Sequence, residues 1–264
     1  MRKLLLFFLS ILFLSSCAKK EEASDDSNAI FNSSYKVTNL AAVGSIHGIV
    51  SLLGAMPNQL VVETQRDQAV CGVSHPNPSL PSPNGIQGCA VWLEGIKEGK
   101  DFGFAANPKM DQTGCEFLPH ILLVKQGATI VIHNSDAALH NFHVINGDAT
   151  IVNEAQPEGA PPREVTLTKA GLHRVSCDVH PWMRGFIMVA EHPYYVITDS
   201  LGNFTLENVP PGKYTIKLWR DNWNIESVKN PAGKIISYKF PVDFVKGDSV
   251  IVETGKNSQV MFTL

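Results

Sequence analysis

The chain has 264 residues, 44% of them hydrophobic and 18% charged, with a mean hydropathy near zero, which excludes a disordered chain and a multi-span membrane protein. A formal charge of −3 provides no basic field for gripping phosphates, so nucleic acid is not an expected partner. With 20 Gly and 16 Pro the chain reads as loop-rich and mainly β, and its cysteines, Cys17, Cys71, Cys89, Cys115 and Cys177, are an odd number that cannot all pair within one chain.

In chain order, Met1-Arg2-Lys3 is a short basic segment ahead of the apolar run Leu4 to Leu14, and the two together read as an export signal. The run is too short to span a bilayer, which needs about 20 apolar residues. Leu14-Ser15-Ser16-Cys17 resembles the bacterial lipobox, in which the signal is cut before the cysteine and the thiol takes a lipid. That resemblance implies a signal over 1–16, lipidation at Cys17, and a location in the cell envelope facing the periplasm, with the lipid entering either the inner or the outer membrane. A secretory signal with a chance cysteine is the alternative. Cleavage there would leave 248 residues with a formal charge of −5. Residues 17–43 are charged and polar and are expected to form a flexible tether, with the folded part starting near Gly44.

Short alternating segments bounded by Gly, Pro, Asn or Asp predict strands over Ser45–Leu53, Cys89–Glu94, Ile121–Val124, Ala128–His133, Asn141–Ile145, Glu164–Thr168, Gly171–Cys177, Phe186–Ala190, Asn203–Leu206 and Gly212–Trp219. The proline-rich stretch Cys71–Gly88 is expected to be loop. Two distant segments look like halves of one module. GSIHGIVSLLGAMPN with CAVWLEGI resembles the opening strands of carboxypeptidase regulatory-like domains, and TDSLGNFTLENVPPGKYTIKLWRD resembles their closing strands. In the second, Asp199-Ser200-Leu201-Gly202 suits a turn, and Phe204 and Leu206 alternate inward. The expected organisation is a transthyretin-like sandwich from residues 44–99 and 193–264, with a second domain over 100–192 inserted in or adjacent to it. Three consecutive β-modules are the alternative.

Between those halves, Cys177-Asp-Val-His180-Pro-Trp-Met183 places a thiol, an imidazole and a thioether in one short window where a strand gives way to a loop. Each of these donors prefers a soft or borderline metal. A further donor is available at His140, directly after the Asn134-Ser-Asp136 turn segment and followed by Asn141. Standing alone, the window could equally be a core thiol beside a surface histidine and a packing methionine.

From CEFLPHILLVKQGATIVIHNSD through LHNFHVI to CDVHPWM and GFIMVAE, about residues 110–191, the chain resembles the cupredoxins, blue-copper β-sandwiches that include the amicyanins and plastocyanins. The spacing Cys-x2-His-x2-Met matches the short, amicyanin-like ligand loop. The resemblance implies an all-β, Greek-key fold with one type 1 copper, held by His140, Cys177 and His180, with Met183 as weak axial ligand. It further implies that Asn141 hydrogen-bonds to the ligand loop, and that His180 presents its ring edge at the surface beside Trp182 as the electron-transfer site. Met188 competes with Met183 but falls in the next strand and reads as core. His143, three steps along a strand from His140, faces the other sheet surface; His120 and His133 read as ordinary structural histidines.

Electron transfer is the implied function, with a redox protein such as a cytochrome or dehydrogenase as partner and no enzymatic activity. A binuclear copper centre would need a second cysteine close to Cys177, and larger copper clusters need His-x-His elements; the sequence has neither. A copper chaperone or store, and an adhesion or scaffold protein with a vestigial copper domain, are the competing classes. Among the remaining cysteines, Cys71 and Cys115 sit in polar contexts next to Gly and are expected to pair, while Cys89 heads an apolar strand and can hide as a small core residue.

Overall fold

The computed structural model describes residues 35–55, 57, 61–78, 85–240 and 243–264. The export segment and Cys17 lie outside these. The described chain is all-β, and its one helix is the single turn Gln68–Cys71. Each strand expected from alternation coincides with an observed strand.

Two β-sandwiches account for most of the strands. In the first, a sheet of Arg163–Thr166, Thr129–Asn134, Lys109–Thr113 and Glu116–Leu118 faces a sheet of Ala149–Gln156, His140–Asn146, Gly171–Ser176, Arg184–Ala190 and Ile121–Lys125. Met110, Phe117, Ile130 and Ile132 from one sheet meet Phe142, Val144, Val175, Ile187 and Val189 from the other in a common core. In the second, Tyr195–Ile197, Ala90–Glu94, Gly212–Arg220 and Phe244–Val252 form one sheet, and Asn203–Val209, Gly44–Ser51 and Asn257–Thr263 the other. Their shared core includes Ile46, Leu93, Phe204, Ile216 and Phe262. Strands from before and after the first sandwich are thus hydrogen-bonded into the same sheets: Trp92 pairs with Tyr195 and with Lys217.

The strand Arg184–Ala190 is buried along its whole length, which accounts for its unbroken apolar run. Ile187 and Val189 enter the first core, while Phe186 and Met188 point the other way, against Ala90 and Trp219 of the second sandwich. At that junction Arg184 forms a buried ion pair with Asp221 at 2.9 Å, and His120 Nε2 lies 3.1 Å from the same carboxylate oxygen. The Asp199 turn is closed by its carboxylate accepting the N–H groups of Leu201 and Asn203, with Gly202 at φ +77° against the Val50 carbonyl.

Two boundaries differ from the sequence expectation. Tyr35–Val37 falls within the expected tether but is part of the fold: Lys36 and Val37 pair with Glu98 and Gly99, and the Tyr35 hydroxyl donates to the Lys100 carbonyl. An aromatic ring that packs on Tyr194 and Phe102 anchors what the polar composition around it suggested was free. The stretch 61–78 was assigned to the second sandwich and, from Cys71 on, to loop. It instead forms a small hairpin, Val61–Glu63 with Ser74–Pro76, around the turn Gln68–Cys71. Its inward residues Val62 and Cys71 join the core of the first sandwich. Within Cys71–Gly88 the strand Ser74–Pro76 is the departure; the other described residues from Gly72 on lie outside helices and strands, as the prolines suggest.

Candidate metal centre

Strands Gly171–Ser176 and Arg184–Ala190 run antiparallel with Ser176 opposite Arg184, so Cys177–Met183 is the loop joining them. It is closed at its base by the Cys177 N–H donating to the Met183 carbonyl at 3.3 Å, and the Met183 N–H donating to the His180 carbonyl at 2.9 Å. His140 opens the neighbouring strand, whose His143 pairs with Ser176. Continuing that register sets Phe142 opposite Cys177 and His140 two residues further along, on the same face of the sheet as Phe142.

The donor atoms of His140, Cys177 and His180 all lie within 4.8 Å of one another. His140 Nδ1 is 2.9 Å from His180 Nδ1, and Cys177 Sγ is 3.7 Å from His180 Nδ1. All three residues are buried. Met183 is buried in the same core cluster as Cys177. Asn141 bridges the strand and the loop: its side-chain oxygen accepts the Asp178 N–H at 3.1 Å and its amide nitrogen donates to Asn153.

Each imidazole turns its outer nitrogen to a carboxylate. His140 Nε2 is 2.8 Å from Asp136 Oδ2, and His180 Nε2 is 2.9 Å from Asp67 Oδ2. Carboxylates accept, so both Nε2 atoms carry the proton and both Nδ1 atoms present lone pairs. Two acceptors this close, beside a sulfur, repel each other unless a proton or a cation lies between them. Two imidazole nitrogens and a thiol converging on one point make a donor set that fits a soft or borderline ion such as copper. Burial pushes the Cys177 thiol up, while the N–H groups of His180, Asn141 and Val179 pull it back; those of Asn141 and His180 lie 3.3 and 3.4 Å from the sulfur. Burial likewise holds the His180 imidazole below its usual range, against the opposing pull of Asp67.

Cys115, Asp136 and His140 form an overlapping cluster. It does not offer a second set of donors, because Cys115 is joined to Cys71 by a disulfide and Asp136 already receives the N–H groups of Gly114 and Cys115. Cys89 and Cys177 are free thiols, and both are buried.

The expected electron-transfer surface at His180 and Trp182 is corrected by the structure. His180 has 0% exposure and Trp182 6%. The 61–78 hairpin lies over them as a lid. Asp67 covers the His180 ring edge, Cys71 Sγ comes within 4.0 Å of its Nε2, and the His75 ring stacks on Trp182. The Asp67 side chain, 46% exposed, is the outermost group touching His180. Sequence reasoning missed both orienting carboxylates. Asp136 had a local signal, four residues before His140 in its turn; Asp67, more than a hundred residues from His180, had none. His143 is tied to Asp178 and Thr150.

No protein-family model matches the chain, and no curated protein matches it. Among solved structures it is similar to the Cu-containing nitrite reductase of Thermus scotoductus SA-01, at 25% identity over 32% of this chain and 22% of that one, with a TM-score of 0.29. It spans about a fifth of that enzyme's length. It is also similar to amicyanin from Paracoccus versutus (22% identity, 33% of this chain and 83% of that one, TM-score 0.30). A third is the purple cupredoxin of Nitrosopumilus maritimus (22% identity, 32% and 100%, TM-score 0.29).

Proposed function

We propose that this chain is a lipid-anchored cupredoxin of the cell envelope, carrying single electrons between redox proteins such as a cytochrome and a dehydrogenase. The observation that carries this reading is the buried convergence of His140 Nδ1, His180 Nδ1 and Cys177 Sγ, with two peptide N–H groups on the sulfur. His140, Cys177 and His180 would hold one copper, Met183 would add a weaker thioether donor, and the copper would supply a one-electron couple.

The chain's own contribution is rigidity and dryness. Cys177 and Met183 are pinned at the two ends of one hydrogen-bonded loop, and Asn141 ties that loop to the strand bearing His140. Asp136 and Asp67 fix the two rings in one tautomer. Donors that barely move when the charge changes favour electron transfer over substrate binding, and burial of all three under the lid excludes an incoming ligand. The same burial disfavours a chaperone, which needs an open, labile site. Electrons would cross at the lid, by way of Asp67, rather than at a bare imidazole edge. The second sandwich, read as carboxypeptidase regulatory-like, would brace the copper domain through Phe186, Met188 and the Arg184–Asp221 pair.

The test is the visible and EPR spectrum of the Cu(II)-loaded mature protein. An intense thiolate-to-copper band is expected; Cys177→Ser should abolish it, and Met183→Leu should keep the colour while moving the reduction potential. A colourless Cu(II) protein, or full colour in Cys177→Ser, would overturn the reading.

A further inference from the structure

The two carboxylates that orient the metal-site histidines are joined to each other through the disulfide. From His140, Asp136 leads to the N–H groups of Gly114 and Cys115 at 2.6 and 2.8 Å. Cys115 is bonded to Cys71. Cys71 ends the single turn whose first carbonyl belongs to Asp67, with the Cys71 N–H donating to it at 2.8 Å, and the Asp67 side chain returns to His180. The chain of contacts His140–Asp136–Cys115–Cys71–Asp67–His180 thus closes an arch over the site. Other lid contacts are Val62 and Val70 on the core, His75 on Trp182 and 3.4 Å from Glu116, the Asn77 amide donating to the Trp223 carbonyl, and the Tyr238 hydroxyl donating to the Glu63 carbonyl and meeting the Gln65 amide.

We propose that the Cys71–Cys115 disulfide is a latch that closes this lid over the loaded metal site, so that metal is taken up while both thiols are reduced and is sealed in when they are oxidised. The proposal rests on the metal reading above. Closure is a thiol–disulfide exchange. The two thiols pass two protons and two electrons to a disulfide-bearing oxidoreductase through a mixed disulfide, the new S–S bond forms, and the oxidoreductase leaves as a dithiol. With Cys71 and Cys115 both buried once the lid is down, the sealed form also resists reduction. An export compartment is where such oxidation persists. Asp67 is a positioning residue in this scheme: it is carried by the lid and reaches the metal only through His180.

The test uses the mature chain loaded with Zn2+, which has no redox chemistry of its own, and follows metal release to excess 4-(2-pyridylazo)resorcinol. Cys71→Ser with Cys115→Ser should release zinc tenfold or more faster than wild type, and Asp67→Asn, with its disulfide intact, should accelerate release by a smaller factor. Release at the wild-type rate from the double variant would overturn the latch. Hydrogen exchange on the metal-free wild type, before and after tris(2-carboxyethyl)phosphine reduction carried to completion and verified by thiol alkylation and intact mass, is the second measurement. Reduction should speed exchange of the Cys71 and Gly72 amides while those of Val144 and Val175 keep their protection. Unchanged lid amides, or loss of protection everywhere at once, would overturn the latch even if the double variant fails to fold. A wild type that binds no metal would instead sink the metal reading, and the exchange experiment would still decide whether the lid is latched.

Discussion

Asp136→Asn replaces a buried carboxylate by an amide of the same shape. The carboxylate accepts on both oxygens: Oδ1 takes the Gly114 N–H, and Oδ2 takes both the Cys115 N–H and His140 Nε2–H. An amide has one oxygen. Placed where Oδ2 sits, it keeps the Cys115 and His140 bonds and turns its NH2 against the Gly114 N–H; flipped, it sets that NH2 against two donors instead. The first arrangement is the cheaper. It still loses one hydrogen bond to a charged group, worth about 1.5–3 kcal/mol, and weakens the other two by removing the charge. The expected loss of stability in the metal-free protein is about 2–4 kcal/mol, read from urea unfolding. Metal affinity should fall as well, because the partner that fixes the His140 ring is weaker; changes of this kind cost about 10- to 100-fold. Competition for Zn2+ against a chromogenic chelator reads that second effect. A variant with wild-type stability and wild-type affinity would refute the reasoning that Asp136 both braces the Gly114–Cys115 turn and orients His140.

Two further outcomes are expected. Burial pushes the His192 imidazole down to about 4, so the folded protein keeps it neutral while the unfolded chain binds a proton below its ordinary value of about 6.5. Its contribution is therefore complete above about pH 6.5 and is lost as pH falls toward 4. His192→Gln should remove about 2 kcal/mol of the stability lost between pH 7 and pH 4.5, measured by urea midpoints at both pH values, and an unchanged pH dependence would count against it. At the junction of the sandwiches, Asp221→Ala takes the 2.9 Å carboxylate partner from the buried Arg184 guanidinium and should cost about 3–5 kcal/mol, lowering Tm by about 6–20 °C. Arg184→Met combined with Asp221→Leu should cost clearly less, and a double variant as unstable as Asp221→Ala would show that loss of the Asp221 carboxylate beside a buried guanidinium is not the cause.

Legibility followed the range of the interactions. The all-β class, the position of each alternating strand and the turn at Asp199–Gly202 could be read locally, because side-chain alternation and turn chemistry act over two to five residues. The donors His140, Cys177 and His180 were visible for the same reason: three belong to two short segments whose residue types have few other uses together. The prolines after Cys71 marked non-regular chain, from which only Ser74–Pro76 departs among the described residues, but they could not show which core a neighbouring Val62 or Cys71 enters.

What the sequence determined by itself is the chemistry available, a thiol, two imidazoles and a thioether on strand ends and one loop. Tertiary structure alone decided the state of that chemistry. It placed Asp67 and Asp136 on the outer nitrogens, fixing the tautomers, and it drew the 61–78 hairpin over His180, turning an expected surface histidine into a buried one. Asp67 and His180 are 113 residues apart in the chain. No local pattern encodes a contact at that separation, because it comes into being only when the hairpin's few apolar side chains find the first sandwich's core and the Cys71–Cys115 disulfide holds them there.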